Sequence, residues 1–202
     1  DLQKEGKAWV LSRMHFEFLR HPLWRESIEL ATWHKGPYGP FYLRDFSLKN
    51  KDGELLVRGT SSWVILDVRQ RTMCRMADVL TLVPENSVCP ENAIERPADK
   101  VMMPRGAEPE QAVVNKVEFS DVDLLGHTNN ARYVVWAMDC IDFDELRTHP
   151  VKDLTVNFIH ETRSGEEISL EKLRLENEDG SITYFIDGKL ADKAVFSVKI
   201  NM

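Results

Sequence analysis

The stretch Phe119-Ser120-Asp121-Val122-Asp123-Leu124-Leu125-Gly126-His127-Thr128-Asn129-Asn130-Ala131-Arg132-Tyr133 decides how the rest of the chain is read. It sets a carboxylate, Asp123, and an imidazole, His127, four residues apart in a short loop that contains a glycine. A strand-like run, residues 113–119, leads in, and a strongly apolar helical run, residues 133–141, leads out. The loop therefore delivers Asp123, His127, Asn129 and Asn130 to a helix start, where backbone N–H groups lack intrahelical acceptors. An acid, a base that titrates near neutral pH and such N–H donors in one place point to a site rather than a linker.

The helix carries the fold argument. Tyr133, Val134, Val135, Trp136, Ala137, Met138, Cys140 and Ile141 leave almost no polar face before Asp142. A helix apolar nearly all round is expected to be enclosed. The stretches 9–18, 28–33, 42–48 and 55–68 in the first half, and 168–175, 182–190 and 194–200 in the second, are strand candidates rich in β-branched and aromatic residues. Asn50-Lys51-Asp52-Gly53-Glu54 and Asn177-Glu178-Asp179-Gly180-Ser181 are hairpin signals of one chemistry, expected in the same relative place in two duplicated halves. Residues 84–111 hold Pro84, Pro90, Pro97, Pro104 and Pro109 and read as a linker with one short helix near 91–96. The fold class is therefore α+β, with antiparallel sheets curved around a helix. The expected division is 1–83, a linker 84–111, and 112–202. The first half has no counterpart of the 130–141 helix or of the strand before it. Its sheet is expected to be incomplete and to expose an apolar face, unless another element or chain covers it.

Composition narrows the function classes. The chain has 202 residues, with 43% hydrophobic and 29% charged, enough for one large domain or two small ones. No apolar run reaches membrane-spanning length, and residues 1–5 carry no signal-peptide pattern. Cys74, Cys89 and Cys140 are odd in number and without metal-like spacing, so they read as reduced thiols of a cytoplasmic protein. A net charge of -7 argues against a general nucleic-acid binder. His15, His21, His34 and His149 have no metal spacing, and no phosphate loop, dinucleotide fingerprint or Gly-x-Ser-x-Gly elbow occurs, so no cofactor is implied.

The motif resembles the D-x-D-x-x-G-H-x-N-N-x-x-Y segment of acyl-acyl carrier protein thioesterases, which have a double hotdog fold. The likeness extends to Ala8-Trp9-Val10-Leu11-Ser12-Arg13, Ile28-Glu29-Leu30-Ala31-Thr32-Trp33 and Gly59-Thr60-Ser61-Ser62-Trp63-Val64-Ile65-Leu66-Asp67 in the first half. In the second half Leu154-Thr155-Val156-Asn157-Phe158-Ile159-His160-Glu161 resembles the strand that supplies a further functional residue. The resemblance implies hydrolysis of fatty acyl-acyl carrier protein, with Asp123 and His127 as functional residues. It also implies an acyl tunnel in the first half, lined by Trp33, Phe46 and Trp63, for which core packing is the other reading. An acidic carrier protein would meet a local basic patch that includes Arg69, Arg71, Arg75 or Lys116, which otherwise read as solvated surface.

Each candidate also has a plainer reading. Asp123 is a general base or orienting group, or else a loop cap. His127 is the titrating partner, or a turn-packing side chain. Asn129 belongs to the site, or caps the helix. Two departures from the resemblance matter. Leu125 stands where many relatives carry an Asn, and Leu cannot hydrogen-bond. Thr162 stands where plant relatives place a Cys, so a cysteine nucleophile is excluded there and Glu161 becomes the candidate for activating water. Strict strand alternation turns Glu161 away from the face of Val156 and Phe158; a bulge would re-aim it. Two rivals remain open: an acyl-CoA thioesterase or hotdog hydratase, and a non-catalytic acyl-binding hotdog. The sequence leaves a monomer of two hotdogs and a homodimer equally open.

Overall fold

The computed structural model describes residues 2, 4–79 and 88–202. The expected boundary at residue 83 and linker residues 84–87 lie outside the described residues. The chain divides into two units, Asp1–Asp99 and Lys100–Met202.

The first unit holds β1 (Lys7–Phe18), β2 (Ile28–Tyr38), β3 (Phe41–Asn50), β4 (Leu55–Asp67), the short β5 (Thr72–Met73) and a four-residue helix α1 (Met76–Val79). All pairings are antiparallel, in the order β2-β3-β4-β1, with β5 on the end of β4. Register sorts the side chains into two faces. Tyr42 opposes Trp63, which opposes Leu11; Phe46 opposes Gly59, which opposes Phe16. These residues share one apolar face that is only half-buried at Leu11, Phe16, Phe46 and Trp63. Near its end, Trp9, Ile65, Met76 and Val79 pack with Tyr42.

The opposite face carries Leu43, Asp45 and Thr60, all buried. Residues 88–99 cover it. The Trp33 indole N–H donates to the Glu91 carbonyl at 2.8 Å, and Ile94 and Ala98 are buried. The helix expected near 91–96 does not form: these residues run through bends. The N–H groups of Ala93 and Ile94 donate to the Asp45 carboxylate at 2.7 and 3.3 Å, and Lys35 pairs with the same carboxylate at 3.3 Å. A distant side chain thus claims the donors that a helix would have used. Trp33 opposes Asp45 in register, so it lies on the face away from Trp63 and Phe46. The three do not line one tunnel.

The second unit holds β6 (Glu110–Lys116), α2 (Asn130–Asp139), α3 (Phe143–Thr148), β7 (Asp153–Phe158), β8 (Glu167–Glu176), β9 (Ile182–Leu190) and β10 (Lys193–Asn201). Its antiparallel order is β7-β10-β9-β8-β6. Val156, Ile168, Leu170, Ile186, Val195, Phe196, Val198 and Ile200 are almost completely buried. α2 lies against β9 and β10. Tyr133 stacks within 5.0 Å of the Phe196 ring centroid and 5.5 Å of Trp136. The result is a hotdog-like α+β arrangement, an antiparallel sheet with few helices.

The expected enclosure of α2 is only partial. Tyr133, Trp136, Ala137 and Cys140 fall on one helical face and are buried, whereas Val135 on the other side is 39% exposed. Within this unit the sheet meets a single stripe of the helix, and a helix apolar all round does not reveal which stripe is covered.

The two units repeat a topology. The order β8-β9-β10-β7 reproduces β2-β3-β4-β1, with β6 and α2 as additions. Among the described residues the first unit has no counterpart of either. The two matched turns, however, are not equivalent. Asn50–Glu54 joins β3 to β4, whereas Asn177–Ser181 joins β8 to β9, one hairpin earlier in the repeat. Both close in the same way, the Asn N–H bonding the carbonyl four residues on at 3.0 and 2.8 Å, with Gly53 at φ +84 and Gly180 at φ +79. Such a turn suits any hairpin of that length, so its chemistry does not say which hairpin it closes.

One ion pair ties α3 to the sheet. Glu145 accepts from Arg174 at 2.9 and 2.8 Å and from the Tyr184 hydroxyl. Burial pushes the Glu145 carboxyl up, but the bonds from Arg174 and Tyr184 outweigh it and hold it below the usual carboxylate range. Burial, followed by the Glu145 hydrogen bond, pushes the Tyr184 hydroxyl up to about 12. Because the folded pKa of Glu145 is depressed, its stabilisation is present above the ordinary carboxylate pKa and is lost as pH falls through the folded value. Glu145→Gln is expected to reduce stability at neutral pH by about 1–3 kcal/mol and to flatten the loss of stability in acid. Urea midpoints measured across pH 3–7 check both.

Candidate active site

The motif loop is built by its own backbone. A 3-10 turn, Phe119–Asp121, follows Val117, and the Asp121 carboxylate accepts the Glu118 N–H at 2.9 Å and pairs with Arg132 at 2.6 Å. This anchors the first turn of α2 to the loop entrance. The Asp123 N–H donates to the His127 carbonyl at 2.9 Å, and Gly126 takes φ +79, a left-handed conformation that favours glycine. Asp123 Oδ1 accepts from the N–H of Leu125 at 2.8 Å and of His127 at 3.4 Å. Asp123 thus closes the loop that presents His127, through backbone N–H groups. Leu124 and Leu125 project into solvent.

Asn129 is the N-cap of α2, its side chain accepting the Ala131 N–H at 2.9 Å. The helix start is less open than the sequence suggests. The Thr128 N–H donates to Thr162, that of Asn129 to Asp121, and that of Arg132 to Asn129. Across 128–132 only the Asn130 N–H lacks an acceptor among the described residues.

A knot of hydroxyls joins the loop to the segment after β7. Thr128 Oγ1 lies 2.7 Å from Thr162 Oγ1, and the Tyr133 hydroxyl lies 2.8 Å from the same atom. Thr128 N–H donates to the Thr162 carbonyl at 2.8 Å. Thr162 is fully buried, and burial raises the Tyr133 hydroxyl above its ordinary pKa. Thr162→Val keeps the shape but removes the buried hydroxyl that Tyr133 and Thr128 share. It is expected to destabilise the protein by about 1–3 kcal/mol, read as a lowered denaturant midpoint.

With Thr162 turned inward, Glu161 turns outward. This is the order that strict alternation gives, although the regular strand β7 ends at Phe158. Beyond it the N–H groups of Ile159 and His160 both donate to the Val195 carbonyl, at 2.8 and 3.0 Å, where β10 shifts register between Ala194 and Phe196. With two donors on one acceptor, the chain leaves the regular ladder here. Glu161 Oε2 then sits 3.3 Å from His127 Nε2. Arg163 joins them, with Nη2 3.1 Å from the same ring nitrogen and 3.6 Å from Glu161 Oε1.

The two contacts at His127 Nε2 belong to different protonation states. Arg163 only donates, so its hydrogen bond needs the lone pair on Nε2, whereas Glu161 as a carboxylate needs Nε2–H. The trio lies half-open to solvent, the His127 and Glu161 side chains being 27% and 37% exposed. Arg163 carried no signal in the sequence beyond its place in a turn. Among the described residues no group of three or more His, Cys, Asp or Glu gathers as a metal site, and no helix is long and apolar enough to cross a membrane.

Comparison with known proteins follows the same outline. Residues 1–82 match the family model described as Acyl-ACP thioesterase N-terminal domain, and residues 107–201 that described as Acyl-ACP thioesterase C-terminal domain. The chain is 28% identical over 182 residues to oleoyl-acyl carrier protein thioesterase 2, chloroplastic, of Arabidopsis thaliana, covering 82% of this chain and 47% of that protein. It is 25% identical over 187 residues to palmitoyl-acyl carrier protein thioesterase, chloroplastic, of Cuphea hookeriana, covering 89% and 44%. The chain thus spans about half the length of the curated relatives it matches. In fold it is similar to an acyl-ACP thioesterase from Bacteroides thetaiotaomicron, with a TM-score of 0.80 and 20% identity over 98% of this chain and 78% of that one. The 12:0-ACP thioesterase of Umbellularia californica gives a TM-score of 0.83 and 19% identity over 99% and 74%. With both of the family's domains matched in order along its length, the chain belongs to the acyl-ACP thioesterase family.

Proposed function

We propose that this protein hydrolyses fatty acyl thioesters of acyl carrier protein, releasing free acid and carrier. We read it as a double hotdog with halves at 1–83 and 112–202 and a linker at 84–111. The observation that carries the reading is the His127–Glu161 pair, 3.3 Å apart, in a chain that matches both domains of a thioesterase family.

In this mechanism Glu161, as a carboxylate, takes a proton from water as its oxygen attacks the thioester carbon. The oxyanion forms near the Asn130 N–H at the positive end of α2. The intermediate collapses with loss of the thiolate, which receives a proton through His127. Asp123 fixes the loop that holds His127, and Asn129 caps α2 so that its first N–H faces the site. Arg163, 3.6 Å from Glu161 Oε1, helps hold the Glu161 side chain in place. The three free thiols, Cys74, Cys89 and Cys140, fit a reducing compartment, which we take to be the cytoplasm.

Leu125, 80% exposed and unable to hydrogen-bond, favours one second reading, an acyl-binding hotdog without turnover. Thiol release from carrier-protein and CoA esters of one acyl chain separates the readings. The carrier ester is expected to turn over at least about tenfold faster, since remote contacts to the carrier contribute to transition-state binding. Faster release from CoA would make the protein an acyl-CoA thioesterase. Saturable acyl binding without release would leave the binder, and water addition to an enoyl ester would make it a hydratase.

A further inference from the structure

Across residues 159–166, between β7 and β8, Thr162 alone is buried, and every other residue is exposed or half-buried. Three contacts join Thr162 to Thr128. The Thr128 N–H donates to the Thr162 carbonyl at 2.8 Å, the Thr128 hydroxyl donates to the same carbonyl at 3.3 Å, and the two hydroxyl oxygens lie 2.7 Å apart. The Tyr133 hydroxyl lies 2.8 Å from Thr162 Oγ1. A hydroxyl has one proton to give. With the Thr128 proton on the carbonyl, Thr162 donates to Thr128, and Tyr133 donates to Thr162. Burial raises the Tyr133 pKa and so keeps that phenol protonated for its part. The three hydroxyls form one ordered chain, and Thr162 Oγ1 is the atom that both accepts and gives.

The members of this chain sit beside the groups that the proposed mechanism uses. Thr128 follows His127, Thr162 follows Glu161, and Tyr133 lies in the first turn of α2, after Asn130. The His127–Glu161 contact is open to solvent, and so exposed a pair does little to hold its own geometry. A buried network with every hydroxyl satisfied rigidifies what it joins. We propose that Thr162 is a positioning residue, whose hydroxyl, tied to Thr128 and Tyr133, holds Glu161 beside His127 and both beside the start of α2. The effect on rate rests on the thioesterase reading, while the effect on the His127–Glu161 contact does not. A reacting group misplaced by about 1 Å can lose about 10²-fold in rate, so a residue that touches no substrate can still set turnover.

Thiol release from an acyl carrier protein ester, with kcat and KM separated, tests the role in the parent protein, Thr162→Val, Thr162→Ser, Tyr133→Phe and Glu145→Gln, each at a temperature where it is folded. Thr162→Val is expected to lower kcat by about tenfold or more and to leave KM within about twofold, the pattern of a misplaced group rather than a lost binding contact. Thr162→Ser keeps the hydroxyl and should stay within about threefold of the parent. Tyr133→Phe should fall between the two, and it carries the test if Thr162→Val does not fold. Glu145→Gln loses stability away from the site and should keep the parental kcat. Crystal structures of the parent, Thr162→Ser and whichever of Thr162→Val and Tyr133→Phe is folded give a readout that needs no turnover. The His127–Glu161 contact is expected in the first two and broken in the third. Parental kcat in the folded Thr162→Val and Tyr133→Phe variants, equal slowing by Thr162→Ser or by Glu145→Gln, or an intact contact in the third crystal structure would each overturn the proposal. A parent that releases no thiol would defeat the thioesterase reading instead, and the crystal structures would still decide the positioning role.

Discussion

Glu161→Gln is expected to lower thiol release from acyl carrier protein esters by about 10²–10⁴-fold, the usual contribution of a positioned general base. The substitution is nearly isosteric and changes neither Thr162 nor the bulge at Val195. The Glu161 side chain is 37% exposed. Folding should therefore be preserved, which circular dichroism and an unchanged denaturant midpoint check. KM should change little, because the carboxylate acts on water rather than on the acyl chain. A variant that folds and retains near-parental turnover would remove Glu161 from the chemistry.

Trp136→Asp is expected to have the largest effect on stability. Trp136 is 4% exposed and sits edge-on against Tyr133, which in turn packs on Phe196 and Phe158. Truncating a buried tryptophan costs about 3–5 kcal/mol. A carboxylate placed there is taken out of water and adds a desolvation penalty. The total approaches or exceeds the stability of a typical domain, about 5–15 kcal/mol, so the variant should fail to fold. Val135→Asp is the control. It puts the same charge one residue earlier, at a position 39% exposed, and should change stability by less than about 1 kcal/mol. Equal damage from both would mean that the covered stripe of α2 is wrongly assigned.

The residues themselves explain why some of this was legible in the sequence and some was not. Local signals worked where the interaction is local. Asn129 reads as a helix cap because its partner, Ala131, is two residues away. The strands and the motif loop follow from alternation and from a glycine at positive φ. The division into repeated halves also emerges from strand content, although the two Asn-x-Asp-Gly turns misplaced the repeat by one hairpin. Signals failed where a distant residue decides the outcome. Asp45 captures the N–H groups of Ala93 and Ile94, so a plausible helix does not form. Trp33 sits on the wrong face for a shared tunnel because register against Asp45 puts it there. The contact of Glu161 with His127 depends on how the chain runs after β7, where two N–H groups meet one carbonyl at Val195, and no periodicity in residues 154–162 contains that. The same holds for Arg163, which reaches His127 only after that turn is formed.

In the proposed mechanism His127 and Glu161 act as one unit. Its most direct test is thiol release from a chain-length series of acyl carrier protein esters by the parent protein, His127→Ala, Glu161→Gln and the double variant. Groups that work together are strongly non-additive. The predicted result is a parent that turns over at a preferred chain length, two slow single variants, and a double variant no slower than the slower single. Losses that multiply in the double variant, or single variants that keep the parental rate, would contradict a shared His127–Glu161 site.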